Sequence, residues 1–235
     1  MSYVKYFLIS FFLIFSSPVF AMQTWILMGD SIMSSVSPSK INGPIGSAKQ
    51  LTAFHLMNER DVSIRNISSP GVSLGHKDFT GWNNSQKVYD TLSTIGGGFS
   101  AYNGIIVQVG TNDFGRNVHW GDTVTGLRHI LNHAKALNKK VMVMEPIWRR
   151  NQDVKNSLGF TLDTYRFFMY LVCMQEFPNN CHYASRSSSS LATASASKYF
   201  DPAEVKAKSE VHLNAAGHRA YADWIKFEAA KKKWF

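Results

Sequence analysis

The sequence contains little that would support metal, redox or nucleic-acid chemistry. It has only two cysteines, Cys173 and Cys181, and their separation of eight positions differs from the C-x-x-C spacing of redox and zinc sites. Helix-turn-helix, zinc-finger and RNA-binding signatures are absent from the sequence. The run Gly96–Gly98 lacks the Lys-Ser/Thr of a phosphate-binding loop and predicts a chain reversal instead. We therefore expect no metal, no cofactor and no nucleic-acid partner.

Long apolar runs are also missing beyond the start of the chain. Residues 1–21 combine an early Lys5, the apolar run Phe7–Phe15 and the small residue Ala21, a pattern typical of a cleaved secretory signal peptide. The run is shorter than the roughly 20 residues that a membrane-spanning helix needs. We expect a signal peptide over 1–21, one domain over 22–235, a secreted or periplasmic location, and no transmembrane segment after signal removal.

Acidic residues are few. The chain has 16 Asp and Glu against 25 Lys and Arg, which gives a formal charge of +9. A basic surface favours anionic partners, and for an exported protein we expect anionic polysaccharide or lipid headgroups.

The two cysteines have two interpretations. In an oxidising compartment, Cys173 and Cys181 could form a disulfide that closes a small loop. Cys173 could equally be a core thiol, since apolar residues over 162–172 recur at helical spacing before it.

Apolar runs alternate with helical patterns along the chain. The predicted strands are Thr24–Met28, Val62–Ile67, Gly104–Val109 and Lys140–Met144, and the predicted helices are Ala48–Glu59, Val124–Leu137 and a last helix capped by Asn214. This rhythm predicts an α/β fold with a parallel sheet covered by helices. The Ser- and Ala-rich segment 185–197 predicts a loop, either a flap or a flexible surface insertion.

Four short polar blocks lie where strands end or helices begin. They are Gly29-Asp30-Ser31, Asn66 with Gly71, Gly110-Thr111-Asn112-Asp113, and His212-Leu213-Asn214. In open α/β sheets, ligands bind beyond the carboxyl ends of the strands, so the fold would bring these blocks together. They would supply a serine, N–H donors for an oxyanion and a histidine base, which are the parts that serine ester hydrolysis needs.

The order of these blocks resembles that of the SGNH hydrolases, also called GDSL esterases and lipases. The resemblance implies a three-layer α/β/α, flavodoxin-like fold and an acyl-enzyme mechanism. It also implies that Ser31 is the nucleophile and His212 the base. The oxyanion hole would consist of the Ser31 and Gly71 backbone N–H groups and the Asn112 side-chain amide.

The acid of the catalytic triad is missing from its expected place. The family pattern is Asp-x-x-His, but Ser209 stands three residues before His212. Glu210, two residues before the histidine, is our candidate substitute. Asp201 and Glu204 are further candidates, and a Ser-His dyad assisted by a backbone carbonyl is an alternative.

The implied function is an exported ester hydrolase acting on O-acyl groups of carbohydrates or on short-chain or lysophospholipid esters. Two alternatives on the same fold are a catalytically impaired glycan- or lipid-binding module and an O-acyltransferase. Trp148, Arg149 and Arg150 follow the fourth predicted strand. They either line the substrate crevice, where arginine could hold a carboxylate or phosphate, or belong to an ordinary surface loop.

Overall fold

The computed structural model describes residues 22–34, 52–57, 62–77 and 81–235. Its strands are β1 (Gln23–Gly29), β2 (Val62–Asn66), β3 (Gly104–Gln108), β4 (Lys140–Met144) and β5 (Cys181–Ala184). Its α-helices are α1 (Thr52–Met57), α2 (Ser85–Ser93), α3 (Thr111–Gly115), α4 (Trp120–Ala136), α5 (Leu162–Leu171), α6 (Pro202–Ala207) and α7 (Ala215–Lys231). The predicted signal peptide, and the ends of the helix predicted over Ala48–Glu59, lie outside the described residues.

The five strands form one parallel sheet in the order β2-β1-β3-β4-β5. Successive side chains of each strand point to opposite faces of the sheet, so each strand contributes to two cores. In β1, Ile26 and Met28 pack on the face covered by α2, α4 and α5, whereas Trp25 and Leu27 pack on the face covered by α1 and α7. The expected three-layer α/β/α fold is confirmed.

The sheet reverses its strand order between β1 and β3. β2 lies on one side of β1, while β3, β4 and β5 follow on the other. Gly29, the last residue of β1, pairs with Gln108, the last residue of β3. A crevice beyond such a switch point is the usual ligand site of an open α/β sheet, and the Ser and Asn blocks begin there.

The cysteine pair forms a disulfide. Cys173 lies in a π-helical turn, Val172–Glu176, that continues α5, and it is bonded to Cys181 at the start of β5. Cys173 is also fully buried in the core, so the two interpretations of this residue hold together. Among the described helices, none is long and apolar enough to cross a membrane.

The Ser- and Ala-rich segment is a loop, as predicted, that includes short helical turns. It contains two short 3-10 helices, Arg186–Ser188 and the beginning of Ala194–Tyr199. Leu191 and Ala196 are fully buried against the face of the sheet that α7 covers. Two apolar side chains thus pack this loop against the core.

Candidate active site

Ser31 lies in the tight turn that follows β1. The Asp30 carbonyl accepts hydrogen bonds from the Met33 N–H at 3.1 Å and the Ser34 N–H at 3.0 Å. The Asp30 side chain accepts a further bond from the Ile32 N–H at 2.9 Å. These bonds fix the backbone around Ser31, which is half-buried between buried neighbours. The turn therefore presents the Ser31 hydroxyl at the carboxyl edge of the sheet.

A histidine and a carboxylate stand in line with this hydroxyl. The Nε2 atom of His212 is 2.9 Å from the Ser31 Oγ, and its Nδ1 atom is 2.5 Å from the Oε1 of Glu204. The other carboxylate oxygen of Glu204 accepts the N–H groups of Val211 and His212, both at 2.7 Å. A single carboxylate thus orients the imidazole ring and holds the loop that carries it.

Glu204 is ionised in this setting. Burial alone would raise its pKa, but the hydrogen bonds from the His212 ring and from the His212 and Val211 backbones outweigh burial and hold the pKa below its ordinary value. The imidazole therefore faces a full negative charge at neutral pH.

The expectation that Glu210 faces His212 is corrected by this geometry. The Glu210 carboxylate forms a two-point ion pair with Arg150, with Nη2–Oε1 at 2.6 Å and Nε–Oε2 at 2.8 Å. Its side chain is completely buried, and the pair with Arg150 lowers its pKa. Glu210 is thus committed to Arg150, and Glu204, one of the further candidates, takes the place beside the histidine.

The path of the chain explains why Glu204 is nearer to His212 in space than Glu210, although it is farther along the sequence. Helix α6 ends at Ala207 and is capped by Lys208, whose φ of 55° is left-handed. The Ser209 N–H donates back to the Glu204 carbonyl at 2.9 Å. The chain then runs back past α6, so His212 lies over Glu204. Asp201 caps α6 by accepting the Ala203 N–H at 2.7 Å and is occupied there.

The Gly block is tied to the Ser block through Asn66. Its side-chain amide donates to the Met33 carbonyl at 2.8 Å, and its side-chain oxygen accepts the Ser68 N–H at 3.0 Å. Gly71 follows with a φ of +76°, and a Cβ there would lie 2.8 Å from the Arg116 Nη2. The left-handed backbone conformation favours glycine, whereas the Arg116 guanidinium ends a flexible side chain that can shift.

The Asn block is tied to the Gly block in turn. Asn112 lies in the first turn of α3, and its side-chain amide donates one hydrogen bond to the Val72 carbonyl at 2.8 Å. An amide carries a second N–H, which a substrate oxygen could accept. The hydrogen bond to Val72 therefore fixes the Asn112 amide next to the Gly71 backbone.

Sequence reasoning missed the role of Asp113. This buried carboxylate accepts the Leu74 N–H at 3.1 Å, the Gly75 N–H at 2.8 Å and the Thr123 hydroxyl at 3.1 Å. It holds the loop after Gly71 against α3 and α4. The only sequence signal was its position next to Asn112, which equally fitted a polar turn.

Asp30 gives the site an unusual electrostatic feature. Its side chain is buried, and burial raises its pKa to about 7, although the Ile32 N–H and the nearby His212 act in the opposite direction. A carboxyl group that changes charge near neutral pH therefore lies directly behind the Ser31 turn.

The arginines after β4 have separate positions. Trp148 is buried in the core on the α7 face, where its ring meets Phe200 edge-on. Arg150 pairs with Glu210, whereas Arg149 reaches toward the Thr111 carbonyl at 3.4 Å and lies over the Phe114 ring. Within the described ranges, no three His, Cys, Asp or Glu side chains come together as a metal site.

Comparisons by sequence return nothing: no protein-family model matches the chain, and no curated protein matches it. Solved structures do match. The esterase EstA from Pseudoalteromonas sp. is 13% identical, covers 89% of this chain and 97% of its own, and has a TM-score of 0.62. A structure from Desulfitobacterium hafniense assigned to the G-D-S-L family of lipolytic proteins is 11% identical, covers 88% and 99%, and has a TM-score of 0.60.

The chain has the SGNH-hydrolase fold. A third match, a catalytic mutant of an acetylxylan esterase from Geobacillus stearothermophilus, is 17% identical, covers 89% of this chain and 95% of its own, and has a TM-score of 0.61. Similarity at these identities establishes the SGNH fold. The chemistry has to be argued from the side chains described above.

Proposed function

We propose that the protein is a serine ester hydrolase of the SGNH family that works through an acyl-enzyme intermediate. The observation that carries the proposal is the continuous contact from Ser31 Oγ to His212 Nε2 at 2.9 Å and from His212 Nδ1 to Glu204 Oε1 at 2.5 Å. A hydroxyl, an imidazole and a carboxylate in this order are the functional parts of a catalytic triad, whatever their order in the sequence.

In the first half of the reaction, Ser31 Oγ attacks the ester carbonyl while His212 Nε2 accepts the hydroxyl proton. Glu204 stabilises the resulting imidazolium and keeps the ring oriented. The oxyanion accepts hydrogen bonds from the Ser31 and Gly71 N–H groups and from the second N–H of Asn112. When the tetrahedral intermediate collapses, His212 returns the proton to the leaving alcohol.

In the second half, water attacks the acyl-Ser31 ester. His212 accepts the proton of this water, the same oxyanion donors act again, and the carboxylic acid leaves while Ser31 regains its proton. The reaction needs no redox change.

The substrate class we propose is an O-acylated carbohydrate or a short-chain or lysophospholipid ester met outside the cytoplasm. The acetylxylan esterase among the structural matches supports carbohydrate esters. The composition of residues 1–21 supports export. Export is tested separately by expressing the full chain and sequencing the amino terminus of the exported protein, which we expect to begin near Met22.

The two alternative functions, a binding module and an O-acyltransferase, are not equally supported. A catalytically impaired binding module was suggested by the missing acid, and that argument weakens because Glu204 contacts His212. An O-acyltransferase would use the same acyl-Ser31 intermediate, so only the acceptor distinguishes it. Adding a sugar or alcohol to the assay and measuring acylated acceptor against free acid decides between hydrolysis and transfer.

The direct test combines turnover and labelling. The purified protein should release p-nitrophenol from p-nitrophenyl acetate and bind a fluorophosphonate probe at Ser31, located by mass spectrometry of the labelled peptide. Ser31→Ala should abolish both. Ser100→Ala is the matched control, because Ser100 is exposed before β3 at the opposite edge of the sheet. An unlabelled, inactive wild type that is folded by circular dichroism would refute the proposal.

A further inference from the structure

A basic cavity lies beside the loop that carries His212. Its volume is about 260 Å³. Two segments supply its lining, the chain that follows β4 and the chain that follows α6: Arg149, Arg150, Asn151, Lys208, Ser209, Glu210 and Val211. Three of these side chains are cations and one is a carboxylate, so the cavity has a net positive charge.

The one carboxylate neutralises only one of the three cations. Glu210 is held by Arg150 in the two-point ion pair described above. Arg149 makes no ion pair with any residue that the structure describes, and its Nε is buried without a hydrogen-bond partner there. Lys208, at the end of α6, is exposed and also lines the cavity. The unneutralised charge of the cavity therefore belongs to Arg149 and Lys208.

The half-buried guanidinium of Arg149 is poorly satisfied by the protein itself. Its hydrogen bond from Nη1 to the Thr111 carbonyl is long at 3.4 Å. Burial lowers the pKa of Arg149, and the carboxylates of Asp30 and Glu204 act in the opposite direction. A guanidinium that has lost water without gaining a close anion is a ready partner for a ligand carboxylate or phosphate, which it can bind with two parallel hydrogen bonds.

The position of the cavity indicates which part of an ester would reach it. Arg149 approaches Thr111, the residue before Asn112, and the opposite lining ends at Val211, the residue before His212. His212 must lie within hydrogen-bond reach of the leaving oxygen in order to protonate it. The alcohol part of an ester therefore departs on the side of His212, which is the side of this cavity.

We propose that the cavity binds an anionic group, a carboxylate or phosphate, on the alcohol part of the ester substrate. Arg149 and Lys208 are the residues that recognise it. This inference rests on the proposed esterase function and narrows its substrates to esters of acidic alcohols, such as O-acylated acidic sugars. Arg150 contributes indirectly, because its pairing with Glu210 keeps the buried carboxylate from repelling the ligand.

The first experiment compares esters that differ only in charge. 4-Acetoxybenzoate and 4-acetoxyphenyl phosphate are the anionic substrates, and methyl 4-acetoxybenzoate is the neutral one. Because the three phenols differ in acidity, each kcat/KM is divided by the rate constant for uncatalysed hydrolysis. We expect the anionic esters to be preferred by roughly tenfold or more, as charged hydrogen bonds of this kind provide. Added salt should reduce the preference, because part of the attraction is screened.

The second experiment removes the charge from the cavity. Lys208→Asn is the sharper variant, since asparagine tolerates the left-handed φ of 55° at this position. Lys233→Asn is its matched control, because Lys233 has a φ of 54°, is exposed, and adjoins Trp234, which stacks on Trp25 near the opposite edge of the sheet. We expect Lys208→Asn and Arg149→Gln each to reduce the anionic-to-neutral ratio several-fold and Lys233→Asn to leave the ratio unchanged.

Two results would overturn the inference. One is an anionic-to-neutral ratio of corrected kcat/KM near one in the wild type. The other is a ratio that stays unchanged in both Lys208→Asn and Arg149→Gln when these variants are folded. If no ester is cleaved and Ser31 is not labelled, the esterase proposal fails by itself. The cavity is then tested by titrating 4-hydroxybenzoate into the wild type and the same variants by NMR, where absence of binding, or binding unaffected by Lys208→Asn, refutes the anion site.

Discussion

Replacing Glu204 by glutamine should slow ester hydrolysis far more than the same change at Glu210. Glutamine has the shape of glutamate, so its side-chain oxygen can still accept backbone N–H groups of the His212 loop. What disappears is the negative charge 2.5 Å from Nδ1. Two charges centred about 4 Å apart attract each other by about 4 kcal/mol at an effective dielectric constant near 20. This is the stabilisation that the imidazolium loses in the transition state.

A loss of about 4 kcal/mol corresponds to a decrease of roughly 10³ in kcat. The Glu204 side chain is 24% exposed, so water screens part of the attraction, and a decrease of about 10² would still agree with the argument. The decrease should fall on kcat and kcat/KM alike, since the charge on the ring develops only in the transition state.

The assay is p-nitrophenyl acetate turnover, with thermal unfolding as the check that each variant is folded. Glu210→Gln is the matched control, because it makes the same change two residues from His212 at a carboxylate that contacts Arg150. In Glu210→Gln the weakened ion pair should lower the free energy of unfolding. Its kcat should fall by much less than tenfold. If Glu204→Gln retains kcat within tenfold, the assignment of Glu204 as the acid of the triad is refuted. A large loss of kcat confined to Glu210→Gln would assign that role to Glu210 instead.

Three further predictions concern the oxyanion donors, the buried carboxyl and the disulfide. Asn112→Ala should lower kcat by about 10²–10³ with little change in KM, measured with p-nitrophenyl acetate, because one oxyanion donor is lost. Asp30→Asn should raise the unfolding free energy. Asp30 has a pKa of about 7 when folded and about 3.9 when unfolded, so its ionisation favours the unfolded chain as the pH rises between these values. The gain in urea titrations should therefore grow from near zero at about pH 4 to at most ~4 kcal/mol above about pH 7; a gain independent of pH would contradict this. Cys181→Ala should cost about 2–3 kcal/mol in the same titrations, since the bond between Cys173 and Cys181 closes a loop of eight residues' separation.

Four of the five strands were predictable: β1, β3 and β4 are apolar on both faces, and the edge strand β2 alternates buried Val62 and Ile64 with more exposed polar residues. A strand buried between two layers of helices needs apolar residues at successive positions, and Gly104–Gln108 and Lys140–Met144 have them. β5 lies at the edge of the sheet and contains only four residues, with His182 bonded to Glu228 at 2.8 Å. Its partly polar sequence carried no recognisable strand pattern.

Helix boundaries were harder to predict where the cap is unusual. Asn214 caps α7 by accepting the Gly217 N–H at 2.9 Å, as its residue type predicted. Helix α4 begins at Trp120, four residues before the predicted start at Val124. Its cap is the imidazole of His119, whose Nδ1 accepts the Gly121 N–H at 3.0 Å. Histidine is not among the preferred capping residues, so this start could not be recognised from the residue type.

The position of the acid shows why spacing along the chain is a weaker guide than the path of the chain. A short Asp-x-x-His spacing places the acid on the same loop as the histidine. Here the loop is held at its far end, where the Asp201 N–H donates to the His212 carbonyl at 2.9 Å. That contact places the first turn of α6, which contains Glu204, next to the imidazole. The sequence therefore limited the acid to the segments around α6 and the His212 loop. Which of their carboxylates faces the imidazole depends on the turn at Lys208.

Glu204 also does more than an acid that only contacts the ring. One of its oxygens faces His212 Nδ1, and the other binds two backbone N–H groups of the same loop. Moving the loop that carries His212 away from Glu204 would break three hydrogen bonds to one carboxylate. The longer glutamate side chain, placed eight residues before the histidine, thus supplies charge and rigidity together. Protonating Glu204 at low pH should therefore loosen the loop as well as remove the charge, and because its pKa is held below the ordinary value, the contacts of Glu204 with the loop should persist until the pH falls below that value.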